Sequence, residues 1–115
     1  AAGTIDLVHG NDDRNMRPHV VYEIFGIGPI RPHFTLKYGI TCQNNYLTRW
    51  GNPRPQHQAR FFQLHPDYQK YKITYRYIYT NVPGRLKAKQ LEQMLVRRYV
   101  AGHGEMKKEQ KLPLT

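Results

Sequence analysis

The sequence contains one cysteine, one tryptophan, only eight acidic residues and no long apolar run. Cys42 alone cannot form an internal disulfide or a zinc site built from several cysteines. No stretch approaches the ~18 consecutive apolar residues that a transmembrane helix needs. The first residues, AAGTIDLVHGNDDRN, lack the basic start and apolar middle of a secretion signal. The sequence therefore predicts neither a disulfide-rich scaffold nor a membrane span.

Basic residues are abundant, and they are spread along most of the chain. Lysine and arginine number 18 in 115 residues, which gives a formal net charge of +10 with histidine neutral. Residues 18–115 hold 16 of these basic residues and five of the acidic ones. A chain of this length supports one domain with its own core. We predict a linker or leader over residues 1–17, a basic domain over 18–112 and a tail over 113–115.

This positive charge indicates a polyanionic partner. For a small basic domain the natural polyanion is nucleic acid, which is bound through phosphate contacts that release counterions. The alternatives are the ribosome, an anionic membrane surface or an acidic protein partner. The predicted contacts to nucleic acid are Arg54, Arg60, Lys72 and Arg76.

The hydrophobic pattern predicts an α+β domain. Its small, three-stranded, mostly antiparallel sheet is covered by helices, in the order β-β-α-α-β-α. Prolines and glycines separate the periodic segments and mark their ends. The predicted elements are the strands 19–25 and 33–41, the helices 44–50 and 55–64, the strand 70–80 and the helix 85–100.

Strict alternation in two of these strands predicts which side chains share a face. In the second strand, the polar residues His33, Thr35 and Lys37 are predicted on one face. In the third strand, KYKITYRYIYT, every tyrosine is predicted on one face. That tyrosine face is either the core side of the sheet or a platform on which bases stack.

Four residues are candidates for chemistry from their own context. Glu92 lies at the edge of the apolar face of the last helix, where a lone carboxylate needs a cation or a metal ion. Arg49 is either a phosphate clamp or a surface arginine. Tyr22 and Lys37 lie on neighbouring strands, so a hairpin could bring the phenol and the amine to one end of the sheet.

Histidine offers a second route to catalysis. Cleavage of RNA without a metal needs a base for the 2′-hydroxyl and an acid for the leaving oxygen, and histidine serves as both near neutral pH. His33 and His57 are the candidates, against ordinary surface or capping roles.

Taken together, VVYEIF, LKYGIT, RW and LEQMLV resemble a divergent GIY-YIG nuclease domain over about residues 19–100. Val20-Val21-Tyr22 lies where that family has GIY, and Lys37-Tyr38-Gly39 lies where it has YIG. Arg49 follows ten residues after Gly39, and Glu92 falls in the helix after the third strand. The family's second tyrosine is replaced by Lys37, and Tyr38 cannot substitute for it because adjacent strand residues point to opposite faces.

This resemblance implies a catalytic role for each matched residue. It implies that the Tyr22 phenol lies near the attacking water, that Arg49 binds the phosphate and that Glu92 holds a divalent ion, typically Mg²⁺. The replacement by Lys37 weakens the parallel with metal-dependent DNA hydrolysis. For RNA as substrate, a metal-free transesterification by Tyr22, Lys37, Arg49 and His33 is the alternative, with Glu92 as base or orienting group.

The sequence is also similar to the C-terminal toxin modules of bacterial contact-dependent and Rhs-type proteins. The similarity rests on KYGIT, a P-R-P-x-x-Q stretch, an A-x-x-LEQ helix and an end that contains KLP. It implies a monomeric nuclease that is delivered from a secreted or cell-surface protein into the cytoplasm of a target bacterium, where a cognate immunity protein neutralises it. We therefore predict a toxic endonuclease, with RNA, such as tRNA, favoured over DNA. The alternative is a non-catalytic nucleic-acid-binding module that uses the tyrosine-rich strand.

Overall fold

The structure, a computed structural model, describes residues 13–29, 31–43 and 54–104. It confirms the predicted α+β class with a three-stranded antiparallel sheet. The helix predicted over 44–50 lies outside the described residues. A short 3₁₀ turn, Pro66–Tyr68, follows the first helix. The main elements are β1 (Pro18–Ile27), β2 (Phe34–Cys42), α1 (Arg54–Gln63), β3 (Lys72–Pro83) and α2 (Arg85–His103).

β1 is the central strand, and it pairs with β2 on one side and β3 on the other. Its residues from His19 to Ile24 are all buried, because α1 covers one face of the sheet and α2 covers the other. A strand that is buried on both faces needs large, mostly apolar side chains at successive positions. The two helix-covered faces are called the α1 face and the α2 face below.

The α1 face carries the larger hydrophobic core. Tyr22 and Ile24 of β1 pack there together with Phe62 of α1. The α1 helix begins where Pro55 can occupy its first turn without the loss of a hydrogen bond. Gln63 then links the end of the helix to β3, because its Oε1 accepts from the Ile73 N–H at 2.8 Å. This core fixes α1 against the strand that carries Tyr22.

The α2 face has a smaller core, in which Val21 of β1 packs with Ala88 of α2. α2 runs on to His103, and Gly104 ends it with a φ of 85° and an N–H bond to the Val100 carbonyl. The helix predicted over 85–100 therefore extends three residues further than predicted. No helix in the described ranges combines the length and apolar character that a membrane crossing requires.

A shift in strand register changes which face each β2 side chain occupies. Thr35 pairs with Phe25, but Lys37 pairs with Ile24, so Leu36 is an extra residue between them. Because of this bulge, Thr35 contacts Glu23 on the α2 face. Lys37 lies opposite Ile24, which belongs to the α1 core. The prediction that Thr35 and Lys37 share a face was wrong, since simple alternation contains no bulge.

β3 departs from simple alternation in the same way. Tyr75 packs against the α1 core, whereas Tyr79 packs against the α2 core. The pairing of β1 with β3 shifts between Val21 and Tyr22. The predicted single tyrosine face was therefore wrong, and the tyrosines do not form one continuous platform. β3 also extends through Pro83, where the sequence predicted a turn.

The described residues before β1 pack against the start of α2. Asn15 is buried, and its carbonyl accepts the Arg85 N–H at 2.8 Å. Asp13 forms an ion pair with Lys89 at 3.0 Å. Contacts of the domain thus begin several residues before the predicted start at residue 18.

Candidate active site

Tyr22 lies at the centre of the candidate site, on the α1 face. Its hydroxyl donates to Gln58 Oε1 at 2.6 Å, and only 1% of the residue is exposed. Burial raises the pKa of Tyr22 to about 12, while the nearby Arg54 guanidinium, which hydrogen-bonds the phenol, acts in the opposite direction. The phenol is therefore neutral at physiological pH, and it holds Gln58 on one side and Arg54 on the other.

Gly39 gives the Tyr22 ring the space that it occupies. The two residues are cross-strand partners. A Cβ atom at position 39 would lie 2.5 Å from both Cζ and Oη of Tyr22, closer than any side chain tolerates. Glycine is required here by this close approach, which explains the glycine of the KYG tripeptide in structural terms.

Lys37 and Glu92 lie close enough for the charge of each to affect the pKa of the other. Burial lowers the pKa of the Lys37 ammonium, and the Glu92 carboxylate partly restores it. Burial also raises the pKa of Glu92, and Lys37 is the strongest of the cations that oppose this rise. Each shift brings the pKa of the group closer to neutral pH. A pKa near the working pH is what a group that accepts or donates protons needs.

Arg54 completes the group. It is exposed at the first residue of α1, and its charge affects the pKa values of both Tyr22 and Lys37. The charge of Glu92 raises the pKa of Tyr22 as well. The site thus combines one neutral phenol, two cations and one carboxylate from four separate elements. Such a site can bind a phosphodiester and exchange protons with it.

The predicted site residues are only partly brought together. Tyr22, Lys37 and Glu92 lie within electrostatic range of one another. Arg49 lies outside the described residues. The structure does not place His33 with this group, because His33 Nε2 lies 3.5 Å from Glu23 on the α2 face. Sequence reasoning gave Arg54 only a general role in binding nucleic acid, whereas it contacts the Tyr22 phenol.

The other residues predicted to contact nucleic acid lie on different elements and do not belong to this group. Arg60, in the last turn of α1, and Lys72, at the start of β3, are both exposed. The Nε of Arg76 donates to Glu23 Oε1 at 2.6 Å. Glu23 and Gln58 are two buried polar residues to which sequence reasoning assigned no role. The sequence could have identified Glu23, because alternation places this lone carboxylate between Val21 and Phe25 on an otherwise apolar strand face.

Arg76→Ala is expected to lower the free energy of unfolding by about 2 kcal/mol, because it removes the cation that compensates a buried carboxylate. Glu23 is 1% exposed and would keep its contacts with Thr35 and His33. Lys72→Ala, at an exposed position of the same strand, is the control and should change the value by less than about 0.5 kcal/mol. Urea unfolding of the two variants tests this, and equal losses would contradict the role given to Arg76.

The described side chains of this site offer a magnesium ion a single carboxylate, and cations already compensate it. Mg²⁺ binds through carboxylate oxygens and water, and Glu92 is the one carboxylate among the charged groups found here to act on Tyr22 and Lys37. That carboxylate is compensated by Lys37, Arg85 and Lys89. Within the described ranges, no three histidine, cysteine or acidic residues form a group that could hold a metal. The described donor set therefore favours anion binding over cation binding.

Comparison with protein families agrees with an effector role. A family model described as a toxin with the URI fold matches residues 12–104, which is most of the chain. The protein is therefore a toxin effector module. It belongs to the family URI fold toxin 2. No curated protein and no solved structure matches the chain.

Proposed function

We propose that this toxin module is a nuclease of the GIY-YIG-like kind, altered to cleave RNA by transesterification. The observation that carries the proposal is that the buried Lys37 and Glu92 lie within electrostatic range of each other and of Tyr22. Membership of a toxin family supports a destructive activity, and the charge of +10 supports a nucleic-acid substrate.

Each charged group has one step in the proposed reaction. The Glu92 carboxylate accepts the proton of the 2′-hydroxyl as that oxygen attacks the phosphorus. Lys37 donates a proton to the 5′-oxygen as the phosphorus–oxygen bond breaks. Arg54 binds the non-bridging oxygens, where charge accumulates in the transition state. The products are a 2′,3′-cyclic phosphate and a free 5′-hydroxyl.

Tyr22 acts as a positioning residue in this scheme. Its hydroxyl proton is already donated to Gln58, and its pKa of about 12 makes it a poor base. Its hydrogen bond with Arg54 orients the guanidinium toward the phosphate site. This differs from the role beside the attacking water that the GIY-YIG resemblance implies.

RNA is preferred to DNA because RNA supplies its own nucleophile. Hydrolysis of DNA needs an activated water molecule, which most enzymes obtain from a bound metal ion. The described donor set is a poor fit for such an ion. The 2′-hydroxyl of RNA needs only a base, and Glu92, whose pKa is raised by burial, is suited to that task.

The biological setting follows from the toxin family. We propose that the module is delivered into the cytoplasm of a neighbouring bacterium, where it cleaves RNA as a monomer. The producing cell then needs a cognate immunity protein that covers the cationic site. An acidic surface would give that protein the required charge complementarity.

The pH dependence of RNA cleavage should be bell-shaped. The acid limb should follow Glu92, whose raised pKa places it above the range of an ordinary glutamate, because the base must be ionised. The alkaline limb should follow Lys37, whose lowered pKa places it below that of an exposed lysine, because the acid must be protonated. Single-turnover rates from pH 4 to 10 test this. In Lys37→Arg the alkaline limb should disappear and the rate should fall, because a guanidinium stays protonated over this range and donates no proton; a profile like that of the wild type would contradict the assignment.

A further inference from the structure

The α2 face contains a pocket whose lining includes none of the residues of the candidate site around Tyr22. It is an open cleft of about 330 Å³ between the sheet and the C-terminal half of α2. Its volume lies at the lower end of the range for small-molecule sites, which is enough for one nucleotide. We call it the Glu23 pocket, after the buried carboxylate at its base. The lining residues that matter here are Glu23, Arg31, His33, Arg76, Arg98 and Tyr99.

The base of the Glu23 pocket is a fixed hydrogen-bonded network. Thr35 donates to Glu23 Oε2, and the Nε of Arg76 donates to Glu23 Oε1. The side chain of Glu23 is 1% exposed, whereas that of Arg76 is 61% exposed. Glu23 thus neutralises one arginine and holds its planar group in a single orientation. Most of the Arg76 side chain remains accessible to solvent.

The rim of the pocket is cationic. Arg31 and Arg98 are both exposed, one before β2 and the other on α2. Apart from Glu23, which is matched by Arg76, the lining contains no carboxylate. The Arg31 guanidinium lies 5.3 Å from the centre of the Phe34 ring, which also lines the pocket. Guanidinium groups at such a rim can bind phosphate oxygens bidentately.

Aromatic rings line the same cleft and distinguish it from a simple anion site. Tyr99 stacks on His103 with ring centres 4.4 Å apart and an angle of 18°. His33 lies 4.7 Å from Phe25, centre to centre. Flat rings beside guanidinium groups suit a ligand with both a phosphate and a planar base. Inorganic anions and acidic peptides would use only the charges.

We propose that the Glu23 pocket is a second nucleotide-binding site, which holds a nucleotide of single-stranded RNA beside the C-terminal half of α2. The phosphate binds between Arg31 and Arg98, and the base lies against Tyr99. The pocket shares no residue with the catalytic group, so it anchors the strand without taking part in bond cleavage. The inference rests on the proposed function only in that the bound strand is the substrate.

The test is the affinity for a strand that cannot be cleaved. A fluorescein-labelled single-stranded 2′-O-methyl RNA octamer serves as the probe, and fluorescence anisotropy measures its Kd. Arg98→Ala is expected to raise the Kd about tenfold and to reduce the slope of log Kd against log salt by about 0.7. Arg97→Ala is the matched control, since Arg97 is the exposed neighbour that does not line the pocket. It should change the Kd by less than about twofold.

A second variant separates base stacking from charge. Tyr99→Leu keeps an apolar side chain but removes the ring, and it should raise the Kd about fivefold with an unchanged salt slope. Adenosine 5′-monophosphate should compete with the probe more strongly than inorganic phosphate does at equal ionic strength. Equal effects of Arg98→Ala and Arg97→Ala would overturn the proposal. Equal competition by the two anions, or displacement of the probe by polyglutamate at lower concentrations than by the nucleotide, would do so as well.

The same measurements distinguish failure of the second binding site from failure of the nuclease proposal. The probe lacks the 2′-hydroxyl nucleophile, so its binding does not depend on catalysis. A protein that binds the probe through Arg98 but leaves natural RNA intact would refute the nuclease and retain the second site. A protein that cleaves RNA with the same KM in Arg98→Ala and wild type would refute the second site and retain the nuclease.

Discussion

Glu92→Gln should lower the single-turnover rate of RNA cleavage by a factor of about 10² to 10⁴, the usual contribution of a general base. The amide has the same shape as the carboxylate but accepts no proton. The change also removes the anion that opposes the lowered pKa of Lys37. A smaller fraction of Lys37 is then protonated at neutral pH, which adds to the loss.

The control for this variant lies at the next position of α2. Gln93 is exposed, and Gln93→Ala should retain the wild-type rate. Circular dichroism and thermal unfolding should show that Glu92→Gln remains folded, since an amide is buried at less cost than an ionised carboxylate. A folded Glu92→Gln variant that cleaves RNA at the wild-type rate would show that Glu92 is not the base.

Gly39→Ala should lower the free energy of unfolding by about 1–3 kcal/mol, the usual cost of overpacking a core. The added methyl group would lie 2.5 Å from Tyr22 Oη, so either the ring or the strand must move. Because the phenol holds Gln58 and Arg54, cleavage should fall as well, even where the variant is fully folded. Urea unfolding and single-turnover kinetics measure the two effects.

Gly102→Ala is a control for which the free energy of unfolding should change in the opposite direction. No atom lies within 4 Å of the Cβ position at Gly102, and the residue is inside α2. Alanine should therefore stabilise the helix by about 0.5–1 kcal/mol. Equal stability changes in the two variants would contradict the close approach of Tyr22 to β2.

The strand and helix pattern was predictable because it follows from local sequence. Alternation marked β1, β2 and β3, and proline or glycine marked the ends of both helices. The bulge at Leu36 and the shift between Val21 and Tyr22 were not predictable. A bulge depends on how two strands pair, and the sequence of one strand alone does not determine that pairing. The bulge places Lys37 on the same face of the sheet as Tyr22 and leaves Thr35 on the opposite face.

The candidate site was therefore predicted in part, through its chemistry rather than its geometry. A lone carboxylate at the edge of an apolar helix face identified Glu92. Lys37 was identified by its polar strand face next to the strand of Tyr22 and by the tripeptide that matches YIG. His33 was grouped with Lys37 by alternation, but the structure places it beside Glu23 on the opposite face. Arg54 was one arginine among many, and only the packing of α1 on the sheet brings it to the Tyr22 phenol.

The two faces of the sheet give a division of roles in the proposed account. Tyr22 and Lys37 lie on the α1 face, Glu92 lies on α2 within electrostatic range of both, and the Glu23 pocket lies on the α2 face. β1 connects them through adjacent residues, since Tyr22 and Glu23 point to opposite faces. β2 is the edge strand that carries Lys37.

The most direct test of the central claim is incubation of the purified protein with end-labelled RNA and with plasmid DNA, each with Mg²⁺ and with a chelator. The account predicts that RNA is cut in both conditions, that the new ends carry 2′,3′-cyclic phosphates, and that the plasmid stays intact. RNA that is bound but left uncut in both conditions would contradict the claim that this toxin module is a nuclease.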